Sequence, residues 1–285
     1  VNLLNPFWAR KKIAVLDADK DAREVVHLAF EVRYGMPLFT HAIFSVAFAR
    51  QAAIPSIAEV LYRGGKGAII TNPRKRNNDT LLFFGEFFKH GDSEKVKAIV
   101  SQLNSIHARF PITNEQNLYT LATLMCEPRR MGTFLTGSNL LSEKENRALF
   151  VFWKRMGALM NITDLPENEN DFYSWYLQFE KEHYAYSDAG HKIVLALADE
   201  FAERWHRGPL KNIGRNFYFS LFDEHLITAL KIPKPPFVYG AILKAVLNFY
   251  LTVIVRYMPD ASERSIIDFF SKDYKNYHIE KVGPK

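Results

Sequence analysis

A single cysteine, Cys126, stands in a chain of 285 residues. One thiol forms no intrachain disulfide, builds no multi-cysteine zinc site and cannot make the Cys-x-x-Cys-His attachment of a c-type haem. Glycine and proline are scarce, at 14 and 13, which rules out collagen-like repeats and low-complexity linkers. The sequence has no Walker loop, no Gly-x-Gly-x-x-Gly and no Gly-x-Ser-x-Gly. Gly64-Gly65-Lys66-Gly67 lacks Ser or Thr after the lysine and reads as a loop. Strand patterns are missing as well; Ala68–Thr71 is the one short candidate. No long repeat is visible. The longest apolar stretch, Leu243 to Met258, is interrupted by Lys244, Asn248 and Arg256, so it reads as a buried or interfacial helix and not a spanning one. Val1 to Arg10 lacks the charged start and apolar core of a secretory signal. The opening Val1 in place of Met points to a trimmed or processed chain.

What is present is apolar and aromatic. Apolar residues make up 48%, which excludes intrinsic disorder, and Phe 23, Tyr 13 and Trp 4 exceed what packing alone requires. The net charge is +6, but the basic clusters are short: Arg10-Lys11-Lys12, Arg74-Lys75-Arg76 and Arg129-Arg130. None interleaves with aromatics as a single-strand nucleic-acid platform does, so no nucleic-acid partner is expected.

Helical punctuation runs almost throughout. A helix around Arg23 to Glu31 precedes an apolar one from Met36 to Ala53. Pro55 opens the next, stopped by Gly64-Gly65. Asn72-Pro73 is an N-cap followed by Pro at the first helical position, for a helix running to His90 and ended by Gly91. Asp92 or Ser93 caps a helix whose stripe is Val96, Ile99, Val100, Leu103 and Ile106, closed by Pro111. Thr113 with Gln116 forms a capping box for a helix through Met125, with Pro128 as its stop. Further helices are expected at 143–160, 168–183, 188–206, 215–230, 236–258 and 262–272, with Pro166, Pro209, Pro233, Pro235, Pro236 and Pro259 among the separators. The expectation is one all-α globular domain of about ten helices.

His107 falls four residues after Leu103 and seven after Val100, on the inward stripe of its helix. A lone histidine there is most simply a core residue, yet an inward imidazole in an aromatic-rich helical protein is what a haem iron needs. Arg76 and Thr80 share a helix face one turn from Phe83-Phe84 and Phe87-Phe88. A cation and a hydroxyl at an apolar cavity can orient dioxygen; otherwise they are a solvated Arg and an ordinary Thr. Thr120 and Thr123 lie one turn apart in an apolar helix, where a hydroxyl can also bond back to the helix carbonyls. A rival constellation is Glu180-x-x-His183 with Glu203-x-x-His206, half of a di-iron carboxylate site, for which Glu59, Glu86 and Glu127 are further donors. Both segments, Glu180-Lys-Glu and Glu200-Phe-Ala-Glu-Arg, otherwise read as solvated helix faces.

The chain resembles the mpaB and rubber-oxygenase family, which includes latex clearing protein. The resemblance is carried in order by Ala53-Ile-Pro-Ser-Ile-Ala58, by Asn72-Pro-Arg-Lys-Arg-Asn-Asn-Asp-Thr80 and by Ile106-His-Ala-Arg-Phe-Pro111. It continues through Leu118–Leu124, Glu127-Pro-Arg, Phe152-Trp-Lys-Arg-Met-Gly157 with Pro166 and Trp175, and the closing Tyr277-His-Ile-Glu-Lys-Val-Gly-Pro284. It runs from about residue 35 to the end, leaving residues 1–34 as an N-terminal segment and 35–285 as the catalytic domain. The resemblance implies an all-helical fold around one b-type haem, with an oxygenase cleaving apolar, often isoprenoid, carbon–carbon double bonds. By position, His107 would be the proximal iron ligand, Arg76 and Thr80 would stand in the pocket, and Thr120 and Thr123 would line it. Latex clearing protein has a lysine distal ligand directly before the threonine; here Asp79 stands in that place, so the sequence names no distal ligand. Glu59 lies near the family's acidic residue, with the spacing off by about one. His41 and His191 are next in line as axial donors.

Three readings follow. The first is a haem b-dependent oxygenase with dioxygen and a hydrophobic, isoprenoid-type substrate. The second is a haem protein of this fold doing other oxidative chemistry. The third is a helical lipid carrier or membrane-surface scaffold. The expected location is cytoplasmic or membrane-associated, with peripheral membrane contact.

Overall fold

The computed structural model describes residues 5–206 and 208–283, so Val1 and Pro284 of the sequence reading lie outside the described residues. Among the described residues the fold is all-helical, with no strand. The first half runs α1 (Trp8–Val15), α2 (Ala22–His27), α3 (Pro37–Ala52), α4 (Pro55–Tyr62), α5 (Ala68–Thr71), α6 (Pro73–His90), α7 (Glu94–His107) and α8 (Asn114–Thr136). The second half runs α9 (Glu143–Leu159), α10 (Glu169–His183), α11 (Asp188–Trp205), α12 (Lys211–Phe219), α13 (Glu224–Leu230), α14 (Phe237–Phe249), α15 (Val255–Tyr257) and α16 (Ile267–Phe270). A π-helical turn, Tyr250–Ile254, joins α14 to α15, and another, Leu28–Arg33, extends α2.

The caps act as the local chemistry dictates. Asn72 accepts from the Lys75 N–H at 3.1 Å with Pro73 at the first turn, Ser93 caps α7, and Thr113 with Gln116 closes a capping box. Four expectations change. Ala68–Thr71 is a helical turn, because the β-branched run has no strand among the described residues to pair with and buries Ile69 instead. The helix opened by Asn114 passes through Pro128 to Thr136. An interior proline costs about 3 kcal/mol; burial of Cys126, Met131 and Leu135 on either side offsets it. The segment 215–230 splits because Asp223 accepts from the Leu226 N–H at 3.0 Å and starts a new helix. The expected helix at 262–272 contracts to Ile267–Phe270, followed by a 3₁₀ turn.

The centre is α3, from which Thr40 onward is buried almost without interruption. It packs on α8, α11 and α6. On one side lies an aromatic cluster in which Phe84 and Phe88 meet Trp153 edge-on; burying each such ring stabilises the fold by roughly 1.5–3 kcal/mol. On the other, Ile193, Val194 and Leu197 of α11 meet Val46 and Ala49.

Two segments that read as solvated are so only in part: Lys181, Glu182 and Glu203 are exposed, whereas Glu180 and Glu200 turn inward. Glu180 is 1% and Glu200 is 4% exposed. Each carboxylate is buried because it is paired, Glu180 by Arg130 and the Tyr184 hydroxyl, Glu200 by Arg204 and His41. Arg50, fully buried, joins Glu127 and Asp223 in the same interior network. The apolar stretch after Pro236 departs the other way. Phe237–Tyr257 is one long helical run, apolar enough to cross a membrane, and almost none of it is buried.

Candidate functional site

A cavity of about 360 Å³ opens between α3, α6, α7 and α8. That lies within the size range of small-molecule sites. Its walls are mostly apolar and aromatic, with Phe44, Phe48, Phe83, Phe84, Phe87 and Trp153 among them. The pairing of Phe44 with Phe84, centroids 4.8 Å apart, fixes the wall between α3 and α6.

His107, the last residue of α7, lines this cavity. The Ser93 cap sets the helix phase, so His107 follows Val96, Val100 and Leu103 down one stripe. Its ring makes no hydrogen bond with any described residue. Burial, then the positive charge of Arg76, hold its pKa below the usual histidine range. The imidazole is therefore neutral at ordinary pH, with a lone pair to give.

Arg76 and Thr80 stand together on the cavity wall, as their four-residue spacing requires. The Arg76 guanidinium donates to Thr80 Oγ1 and lies 4.7 Å over the Phe48 ring. No carboxylate among the described residues forms an ion pair with it. Burial lowers its pKa, opposed by the more distant Asp79 charge. A half-buried cation without an anion, facing an apolar cavity, is suited to an anionic group.

The other expected residues divide. Asp79 lines the cavity, but Lys75 at 2.6 Å and the Tyr274 hydroxyl engage its carboxylate. Thr120 also lines it. Thr123 sits one layer behind, fully buried, donating to the Thr120 carbonyl at 2.7 Å and accepting from Gln51 at 2.9 Å. Glu59 is exposed on α4 and is not part of the wall. His191 lies away from it, with Nδ1 2.9 Å from the Leu230 carbonyl.

The di-iron alternative is not assembled: among the described residues no group of three or more His, Cys, Asp or Glu side chains is placed to hold a metal ion. Glu203 pairs with Lys211, His183 Nδ1 meets the Phe179 carbonyl, Glu127 is taken by Arg50, and Glu86 by Lys95 and Tyr277.

One feature of the wall stood second in the sequence reading and another escaped it. His41, next in line after His107 as a donor, faces the cavity from α3 and is held by Glu200 and Trp205. The segment from Tyr274 to Gly283 straps across α6, with Tyr274 on Asp79, Tyr277 on Glu86 at 3.0 Å, and Gly283 at the cavity. No periodicity announces such a strap.

Fold and cavity define an all-helical protein built around an apolar small-molecule pocket. Residues 32–255 match the family model described as ER-bound oxygenase mpaB/B'/rubber oxygenase, catalytic domain, and the chain belongs to that family. Membership implies oxygenase-type catalysis on a small-molecule substrate. No curated protein matches the chain.

Proposed function

We propose that this protein is a haem b-dependent oxygenase that cleaves a carbon–carbon double bond of an apolar, isoprenoid-type substrate. The observation that supports this reading is the neutral, unbonded imidazole of His107 on the wall of an aromatic cavity that also holds the unpaired cation of Arg76.

The residues present fit such a cofactor. His107 supplies one good nitrogen donor, Arg76 a guanidinium for an acidic edge such as a propionate, and the phenylalanine walls an apolar slot. With a single buried cysteine, Cys126, covalent attachment of the c type is excluded. When bound, a haem supplies the activation of dioxygen. The chain's own tasks are to hold the donor neutral, to exclude water with Phe44, Phe84 and Trp153, and to place the Arg76 charge and the Thr80 hydroxyl where negative charge develops. Contact with a membrane surface, where an apolar substrate concentrates, belongs to the same reading.

The test is direct. The purified protein, supplied with haem, should bind about one per chain with a Soret band, and should take up oxygen when given an isoprenoid alkene. A preparation that stays colourless at every haem concentration would overturn the cofactor. A coloured protein that oxidises alkenes without cleaving them, or takes up no oxygen, would move the reading to other haem chemistry.

A further inference from the structure

We infer that the helical run Phe237–Tyr257 is a membrane-docking element that lies in the plane of an anionic lipid surface instead of crossing the bilayer. This rests on the membrane contact included in the reading above and commits it to one helix and one orientation.

Three faces of the helix carry the inference. One packs on the body: Leu247 is buried, Leu243, Tyr250 and Leu251 are half-buried against the core, and Tyr250 meets Phe39 of α3. A second is apolar and uncovered: Val238, Ile242, Val246, Phe249, Val253 and Tyr257 recur every three or four residues and range from 37% to 65% exposed. Phe237, at 88%, extends it at the N-terminal end. The third face is polar, with exposed Lys244, Asn248 and Thr252.

A lone spanning helix is surrounded by lipid along its whole length. Here one stripe is committed to the protein body, and Lys244 falls in the middle of the run. A helix with an apolar side, a polar side and a protein side meets lipid sideways, with its apolar stripe in the headgroup–acyl boundary.

Charge decides what kind of surface. Between Glu224 and Asp260 the chain has no acidic residue, while it carries Lys231, Lys234, Lys244 and Arg256. Lys234 pairs with Glu224, and Lys231 lies over the Tyr186 ring. Lys244 and Arg256 lie at the longer distances of 5.5 and 5.6 Å over the Phe134 and Tyr257 rings and form no ion pair among the described residues, so no carboxylate competes with lipid phosphates for these two cations beside the apolar stripe. Leu210 and Ile213 are also exposed, on the turn before α12 and on α12, a helix that packs on α14.

The experiment is vesicle flotation with the full chain, using phosphatidylcholine alone and with about a third phosphatidylserine. Wild type should float with the anionic vesicles. Val246→Glu and Phe249→Glu, both at exposed positions, should keep the helical spectrum and melting point yet partition on the order of tenfold less. Val15→Glu, at an even more exposed position on α1, should float as wild type does. Single cysteines at Val238, Val246 and Val253, labelled with an environment-sensitive dye while Cys126 stays buried, should report equal depth.

Full flotation of both helix variants would overturn the helix and leave membrane contact standing. Graded depth along the three labels would mean a spanning helix. A concentration-dependent dimer without vesicles, abolished by the same variants, would make a second copy the occupant. Wild type that floats with neither vesicle would overturn membrane contact altogether. Haem content and oxygen uptake, measured in solution on the same variants, report on the oxygenase separately.

Discussion

Trp205 Nε1 donates to His41 Nδ1 at 2.9 Å, and this bond fixes the tautomer of a histidine on the cavity wall. An indole N–H only donates, so Nδ1 carries the accepting lone pair. Nε2 then carries the proton, facing Glu200 Oε2 at 3.1 Å. Both nitrogens are spoken for, so His41 has none to give a metal. Of the two histidines on this wall, His107 keeps that capacity.

His107→Ala is therefore expected to abolish stable haem binding while leaving the helices intact. Loss of the donor leaves apolar contacts alone to hold a porphyrin. His41→Ala should still take up haem with an unchanged axial spectrum, at a stability cost of about 1–3 kcal/mol for the hydrogen bond lost at Glu200, which keeps Arg204 and Asn77. Soret titration and far-ultraviolet circular dichroism on both variants check this. An unchanged spectrum in His107→Ala would shift the axial role elsewhere.

Arg76 separates holding a cofactor from using it. If its cation pairs with an acidic edge of the haem, Arg76→Ala should weaken haem retention more than turnover per bound haem. If it stabilises charge developing at the reacting oxygen, haem stays and turnover falls about a hundred- to a thousand-fold. Occupancy and oxygen uptake measured on the same preparations distinguish the two, and Thr80→Ala should follow Arg76→Ala because the two side chains are bonded. Wild-type values in both assays would remove Arg76 from the site.

Helices and caps were legible because their signals are local. Asn72-Pro73, Ser93 and the Thr113–Gln116 box act within one turn of where they stand. The stripe leading to His107, and the Arg76–Thr80 pair, follow from 3.6 residues per turn alone. What stayed hidden depends on partners far along the chain. Glu180 and Glu200 carry charge, and only the approach of Arg130 and His41 from other helices makes their burial affordable. Ala68–Thr71 has strand composition, but no second strand exists among the described residues to use it. Pro128 is a stop in isolation, and the packing around Cys126 and Met131 overrides it. The run after Pro236 is apolar enough to be core, yet the fold offers it only one stripe of contact.

Gly190 tests the contact that brings α3 and α11 together. A Cβ at this position would lie 2.2 Å from the Ala52 carbonyl oxygen, a backbone atom at the end of α3. The same two helices carry His41 and Glu200, so a shift there reaches the cavity wall. Gly190→Ala is expected to destabilise the protein by about 1–3 kcal/mol, the usual cost of overpacking, and to lower haem affinity along with it. Gly208→Ala, where nothing lies within 4 Å, gives the contrast of backbone strain at positive φ without a clash. An unchanged melting point in Gly190→Ala would show that the two helices can separate without loss.

Acid should loosen the protein in two stages. Burial holds the His41 and His107 pKa values below the 6.5 of a free histidine. Below pH 6.5 the unfolded chain takes up those protons first, so stability falls as the pH drops through that value. Glu200 adds the second stage. Burial alone would raise its pKa, but the His41 hydrogen bond and the Arg204 guanidinium bring it from 4.5 down to about 2. Between those values the unfolded chain again holds the proton and the native one does not. The stabilisation from Glu200 is thus fully present above about pH 4.5, is lost as the pH falls towards 2, and is worth up to about 3 kcal/mol. Glu200→Gln removes the charge and keeps the shape. At pH 7 it should unfold at lower urea than wild type, and the gap should close as the pH approaches 2. A gap that stayed constant with pH would mean that the carboxylate contributes shape and hydrogen bonding but no charge.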